Sequence, residues 1–216
     1  SGKCGLAVPY TLIFQAVQFC QEHAHLNMIQ IGAQNMSDAS EGAFTGEIAG
    51  KMLLDVGAQF VLIGHSERRR YYHENDSDIN KKVLRASLDK IPFVLCVGET
   101  LEDRNGGITQ EVIRRQLQTA LTGFKGEIQA TIAYEPVWAI GTGMTPTTSE
   151  IDDVCEFIHN ELKAMNISSE VLYGGSVSSK NCQEFAKIPS VNGFLVGGAS
   201  LNPEEFIKIV GAKSSL

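Results

Sequence analysis

Glu135 stands where an apolar stretch, Ile132-Ala133-Tyr134, stops, and Pro136 follows it at once. A carboxylate at the mouth of a buried strand loses part of its hydration, which strengthens it as a base. The plainer role for such an acid is a rim carboxylate paired with an arginine. His65 closes another apolar run, Phe60–Ile63, within Gly64-His65-Ser66-Glu67-Arg68. The other histidines, His23, His25, His73 and His159, fall on helical or loop stretches, so His65 alone caps a strand. Two glycine pairs, Gly174-Gly175 ahead of Ser176 and Gly197-Gly198, end the last two apolar runs. Glycine lets bare backbone N–H groups approach an anion, and helix N-termini add a positive dipole, so the pairs suggest a phosphate cradle. Base, imidazole and cradle together are the parts for taking a proton from beside the carbonyl of a phosphorylated sugar fragment. The sequence holds no clustered metal ligands, so an imidazole has to polarise that carbonyl. Glu67 stays open between a catalytic role and an ion pair with Arg68, Arg69 or Arg70.

The elements that must position these residues are legible as alternation. Apolar, β-branched runs at 6–8, 28–31, 60–63, 93–97, 130–133, 171–173 and 194–196 read as strands. They are apolar throughout rather than alternating, as in a parallel sheet buried on both faces. Helical periodicity lies between them. Leu12, Ala16, Phe19 and Cys20 share a face, as do Val112, Ile113, Leu117 and Leu121. Val154, Phe157, Ile158, Leu162 and Met165 form another, after a Thr147-x-x-Glu150 capping box. Such a chain is either an open doubly wound sheet or a closed (β/α) barrel. No GxGxxG follows the first strand, which favours the barrel. The expectation is one domain over 1–216, holding seven of the eight strands a closed barrel needs. A further strand–helix unit, roughly 30–40 residues, is expected ahead of Ser1. In a barrel, chemistry gathers at the C-terminal strand ends and phosphate sites recur after the last two strands. Those are the places where Glu135, His65 and the glycine pairs stand.

Bulk properties narrow the function classes. Of 216 residues, 43% are hydrophobic and 20% charged, with a net charge of −7. The acidic balance argues against nucleic acid or an anionic membrane as a partner, while a local dipole still suits a small anion. Five scattered cysteines without a CxxC pair read as reduced thiols in a cytoplasmic protein. No apolar run approaches the length of a membrane span.

Several motifs resemble the triosephosphate isomerase family over essentially the whole chain. They are IGAQNM at 31–36, GAFTGE at 42–47, LIGHSERR at 62–69, LCVGETLEDR at 95–104, AYEPVWAIGTG at 133–143, LYGGSV at 172–177 and GFLVGGASL at 193–201. The resemblance implies a (β/α)8 TIM barrel whose first β/α unit lies outside the numbered chain. It implies interconversion of dihydroxyacetone phosphate and D-glyceraldehyde 3-phosphate in glycolysis and gluconeogenesis, with no cofactor or metal. It makes Glu135 the base and His65 a neutral electrophile, the arrangement for which this family is the standard example. It makes Glu67 a supporting acid, and Gly141, Ser176, Gly197 and Gly198 phosphate contacts. Pro136, Val137, Trp138, Ala139, Ile140, Gly141 and Thr142 become a mobile lid, hinged at 136–138 and 141–143. The loop 34–47, with Phe44 and Thr45 near its tip, becomes the contact of a homodimer. One feature departs from the family: its first strand ends in Asn-x-Lys, and nothing here matches. Lys3 is no substitute, because it precedes its strand and so belongs to the opposite strand end. The alternative is therefore an inactive phosphosugar-binding barrel. Another phosphosugar enzyme, such as an epimerase, would need acids or metal ligands that are missing at the strand ends.

Overall fold

A computed structural model describes residues 4–26 and 28–214. Lys3 lies outside them. Two compact units share the chain: the described residues up to 95 with 119–130, and 96–118 with 131–214.

In the first unit, β1 (Cys4–Val8), β2 (Ile29–Ala33), β3 (Phe60–Ile63) and the start of β4 (Phe93–Val97) run parallel in chain order. Cys4 faces Ile29, Gly32 faces Phe60, and Val61 faces Phe93. Its helices are α1 (Ile13–Glu22), α2 (Gly50–Asp55), α3 (Ser66–Tyr71) and α4 (Asp76–Asp89). α4 begins with a reciprocal capping box between Asn75 and Asp78, which satisfies two otherwise orphaned N–H groups. Ile31, Val61, Ile63, Ile79, Val83 and Phe93 are essentially inaccessible and form this unit's core. The apolar face expected on the first helix is only partly packed, through Ala16 and Cys20, which are half-buried. Leu12 and Phe19 are 45% and 54% exposed, Phe19 stacks on His23 instead, and Ile13 is the residue that is buried.

In the second unit the end of β4 leads to α5 (Leu101–Asn105) and α6 (Thr109–Ala120), of which the last two residues belong to the first unit. β5 (Ala130–Tyr134), α7 (Thr148–Ala164), β6 (Glu170–Tyr173), α8 (Cys182–Phe185), β7 (Gly193–Phe194) and α9 (Pro203–Ser214) follow. β5, β6 and β7 are parallel neighbours, with Tyr134 opposite Tyr173 and Tyr173 opposite Phe194. The last strand is shorter and earlier than its apolar run suggests: 195–196 leave the ladder once the Leu195 N–H has reached Tyr173 O at 3.0 Å. The stripe on α6 packs as expected, with Val112, Ile113 and Leu117 buried. On α7 the buried stripe is Ile151, Cys155, Ile158 and Leu162, leaving Val154 and Phe157 half-buried. The capping box between Thr147 and Glu150 is present.

Among the described residues no helix is long and apolar enough to cross a membrane, and no three His, Cys, Asp or Glu side chains gather as a metal site.

Candidate active site

Glu135 follows β5 directly and is 2% exposed. Its backbone is tied to the residues after β4: Glu135 N–H donates to Val97 O at 2.7 Å, and Val137 N–H to Glu99 O at 3.0 Å. Between those two bonds sits Gly98, pressed so closely that a Cβ there would lie 1.7 Å from the Glu135 carbonyl oxygen. On the other side, a Cβ at Gly174 would lie 2.9 Å from Glu135 Cγ. Glu135 thus lies between two glycines, its backbone carbonyl against Gly98 and its side-chain stem against Gly174, and only glycine permits either approach.

The chain after Glu135 is a short stalk and then a free tip. Pro136 is buried and Val137–Ala139 form a 3₁₀ turn. The Trp138 indole N–H donates to Glu99 Oε1 at 2.8 Å, and the Tyr134 hydroxyl donates to the same oxygen at 3.2 Å. The Arg104 guanidinium lies 4.2 Å over the indole, a cation–π contact, and is itself held by Glu150 of the α7 capping box. Glu99 is fully buried, and Oε2 has no hydrogen-bond partner. Burial pushes its carboxyl above the ordinary value, opposed by the hydrogen bonds from Trp138, its own backbone and Tyr134, and by the Arg104 charge. Burial and the neighbouring Glu99 push the Tyr134 hydroxyl far up, so it remains a donor. Beyond the stalk, Gly141 and Gly143 have φ of 68° and 76° and open space around them, and 141–145 are exposed. The tip is loosely clasped: Thr142 Oγ1 donates to Trp138 O at 2.9 Å and accepts from Met144 N–H at 3.2 Å. The Ser176 hydroxyl donates to Ala139 O, tying the turn after β6 to the stalk. Ile140 is half-buried between stalk and tip.

The two glycine pairs differ. Gly174 and Gly175 are buried, and a Cβ at Gly175 would lie 2.1 Å from the Tyr173 hydroxyl, so that pair serves close packing. Gly197 and Gly198 are exposed, with nothing within contact distance of an added Cβ. They open the 3₁₀ turn Gly198–Leu201 and are the pair with room for an anion.

In the first unit His65 caps α3, its Nδ1 accepting the Glu67 N–H at 3.3 Å. A neutral ring with Nδ1 as acceptor carries its proton on Nε2. The Glu67 side chain is 69% exposed, with Oε2 3.9 Å from His65 Nδ1. Its neighbours Arg68 and Arg69 pair with Glu74 and Asp76, at 2.5 and 2.6 Å, and Arg70 lies over Tyr71. The loop 34–47 contains no helix or strand; Phe44 is 55% exposed and Thr45 is exposed beside it. Glu99 and the stalk network were not visible in the sequence as site residues. The signal was there in LCVGETLEDR, where an acid directly follows an apolar strand and a glycine, as Glu135 follows its own strand.

The family model described as Triosephosphate isomerase matches residues 2–213. A curated Triosephosphate isomerase of Protochlamydia amoebophila is 46% identical over 98% of this chain and 81% of its own length. Those of Aquifex aeolicus and Chlamydia muridarum are 44% and 42% identical, over 94% and 95% of this chain and 82% and 77% of theirs.

Proposed function

The chain belongs to the triosephosphate isomerase family, an α/β TIM-barrel family, and on that premise we propose how its residues divide the work. It is an isomerase of triose phosphates, interconverting dihydroxyacetone phosphate and D-glyceraldehyde 3-phosphate. Relatives of 40–46% identity over most of the chain do not favour an inactive barrel. In this reading the Glu135 carboxylate takes a proton from C1 of the ketose, and the C–H electrons form the C1–C2 double bond as the carbonyl pair moves to oxygen. The neutral His65 donates from Nε2 to that oxygen and stabilises the enediolate. Glu135 returns the proton to C2, while the O1 hydroxyl proton passes by way of His65 Nε2 to O2, leaving the aldehyde at C1, the hydroxyl at C2 and the imidazole neutral again. Glu67 holds the imidazole tautomer through its backbone N–H. Gly197 and Gly198 offer N–H groups to the phosphate, with Gly141 and Ser176 completing the cradle as the lid, 136–142, closes over it and excludes water.

The observation that carries this assignment is Glu135 at 2% exposure, its backbone held against Gly98, its stem against Gly174, and a glycine-jointed loop attached to it. The test is steady-state turnover of Glu135→Gln. Loss of the base lowers kcat by about 10²–10⁴-fold; turnover at the wild-type rate removes Glu135 from the role. We also propose a homodimer built on the loop 34–47, because Phe44 is exposed there. A sedimenting mass of one chain at micromolar concentration would oppose it. A cytoplasmic location is proposed from the five free cysteines, and co-fractionation with membranes would contradict it.

A further inference from the structure

We propose that Gln116 on α6 is a positioning residue for the base, acting through the peptide of Gly98; this rests on Glu135 being the base. Gln116 is 6% exposed. Its Oε1 accepts the Gly98 N–H at 2.8 Å, and its Nε2 donates to Gly98 O at 3.0 Å. One side-chain amide thus holds both polar groups of a single backbone residue, which fixes where that residue lies and how its peptides are turned.

Gly98 is the residue whose placement matters. The bonds that tie 97 and 99 to Glu135 and Val137 leave the Cα of Gly98 against the Glu135 carbonyl with no slack. A shift of Gly98 toward it has to be passed on to Glu135, because the approach is already closer than any side chain permits. Gly98 has no side chain by which to be anchored, and its N–H and C=O are held by the amide of Gln116. Without that amide, two buried backbone groups lose their partner and the peptide is free to turn in search of another. Gln116 itself is set on a rigid element, since Val112, Ile113 and Leu117 of the same helix are buried. Only glutamine has this reach with a donor and an acceptor on one planar group. Glutamate keeps the acceptor alone, methionine keeps the volume alone, and asparagine is too short.

The experiment measures kcat and KM of Gln116→Met and Gln116→Glu in the whole protein, with the Gln116→Met change repeated in a Glu135→Asp background. Gln116→Met lowers kcat about 10- to 100-fold, the cost of a displaced catalytic group or a lost supporting hydrogen bond, while KM stays within about twofold because phosphate binding is untouched. Gln116→Glu keeps the acceptor for Gly98 N–H but sets a second oxygen against Gly98 O where the Nε2 donor stood, so kcat falls there as well. In Glu135→Asp, where the carboxylate is already misplaced, Gln116→Met costs several-fold less than in the native protein, the non-additivity of two changes acting on one group. A kcat within twofold of wild type for a folded Gln116→Met overturns the proposal, and so does an equal cost in both backgrounds. If Gln116→Met does not fold, Gln116→Glu in the two backgrounds carries the same criteria. Full turnover by Glu135→Gln strikes at the base assignment instead. A dead Glu135→Gln beside an unimpaired Gln116→Met overturns only the positioning role.

Discussion

Replacing Gly98 with alanine adds one methyl group to the tightest place in the site. That carbon would stand 1.7 Å from the Glu135 carbonyl oxygen, 2.6 Å from its carbonyl carbon and 3.3 Å from its Cα. Ordinary contact begins at 3.4 Å, so the oxygen has to retreat by about 1.7 Å, against bonds of 2.7 and 3.0 Å on either side of it. Two effects of opposite sign compete. The φ of Gly98 lies outside the left-handed region, so alanine is conformationally allowed and should stabilise by about 0.4–1 kcal/mol through the unfolded chain. Overpacking costs about 1–3 kcal/mol, and one strained or lost backbone bond adds about 1 kcal/mol. Backbone cannot swing aside like a side-chain tip, so the clash wins and the net loss is about 1–3 kcal/mol. At this chain length each kcal/mol moves Tm by about 2–4 °C. The effect on rate is larger. Misplacing a catalytic group by 1 Å costs about 100-fold, so kcat falls by at least that factor, about 2.7 kcal/mol of barrier. Urea unfolding followed by far-UV circular dichroism and by the emission of Trp138, the one tryptophan of the chain, gives the stability term. Steady-state kinetics gives the other. A Gly98→Ala protein as stable as wild type, with unchanged kcat, would refute the contact on which the placement of Glu135 rests.

Glu99 makes stability depend on pH. Its native carboxyl is raised above 4.5 by burial, so the folded state binds the proton more readily than the unfolded chain. The associated stability is complete at low pH, declines as pH rises above 4.5 through the native value, and then levels. Glu99→Gln abolishes that decline; urea midpoints measured from pH 4.5 to 8 that run parallel for the two proteins would contradict it. Thr147→Ala removes the Oγ1 that accepts Glu150 N–H at 3.2 Å and leaves only the return bond from the backbone N–H of position 147 to Glu150 Oε2, at 2.7 Å. The expected loss is about 1 kcal/mol, or about 2–4 °C in Tm, and an unchanged calorimetric midpoint would remove the cap from the stability of α7.

What was legible in the sequence was what repeats. Uniformly apolar runs gave the parallel strands, and 3.6-residue stripes gave α6 and α7. The Thr147-x-x-Glu150 spacing marked the start of α7, because a capping box is written in two side chains three positions apart. Short helices such as α2, α3 and α5 went unread, since five or six residues carry no periodicity. The apolar face of α1 is only half covered, with Ala16 and Cys20 half-buried and Leu12 and Phe19 exposed. Of the proposed site, Glu135 and His65 stand out in the sequence because each follows an apolar run. Gln116 was not, because a glutamine inside an amphipathic helix is ordinary, and its meaning lies in a partner 18 positions away. The two roles of glycine also look alike in sequence. Gly174-Gly175 and Gly197-Gly198 are the same dipeptide, and only the surroundings show one pair wedged against Glu135 and Tyr173 and the other facing open space.

That difference separates what must stay from what must move. Glu135 is held by contacts that have no freedom: the backbone at Gly98 and Gly174, and the ladder bond to Val97. The loop it carries changes character within a few residues. Up to Ala139 it is anchored by Trp138 and Tyr134 on a buried carboxylate and by Ser176. From Gly141 it rests on one threonine clasp and two left-handed glycines in open space. In the reading proposed above, with Glu135 as the base and 136–142 as the lid, a proton shuttle between adjacent carbons needs a base that does not wander, while a reactive enediolate needs a cover that opens for exchange of ligand. The covalent link between them would pass every lid movement to the base unless something intervened. Glu99 stands at that junction, accepting with Oε1 from Tyr134 of β5 and from Trp138 of the stalk, and with its carbonyl from the Val137 N–H. On that proposal the network around it anchors the 136–138 hinge, so that closure of the lid beyond it is not passed to the base. It follows that weakening it, as Trp138→Phe does, should lower kcat through the placement of the base even where the lid still closes.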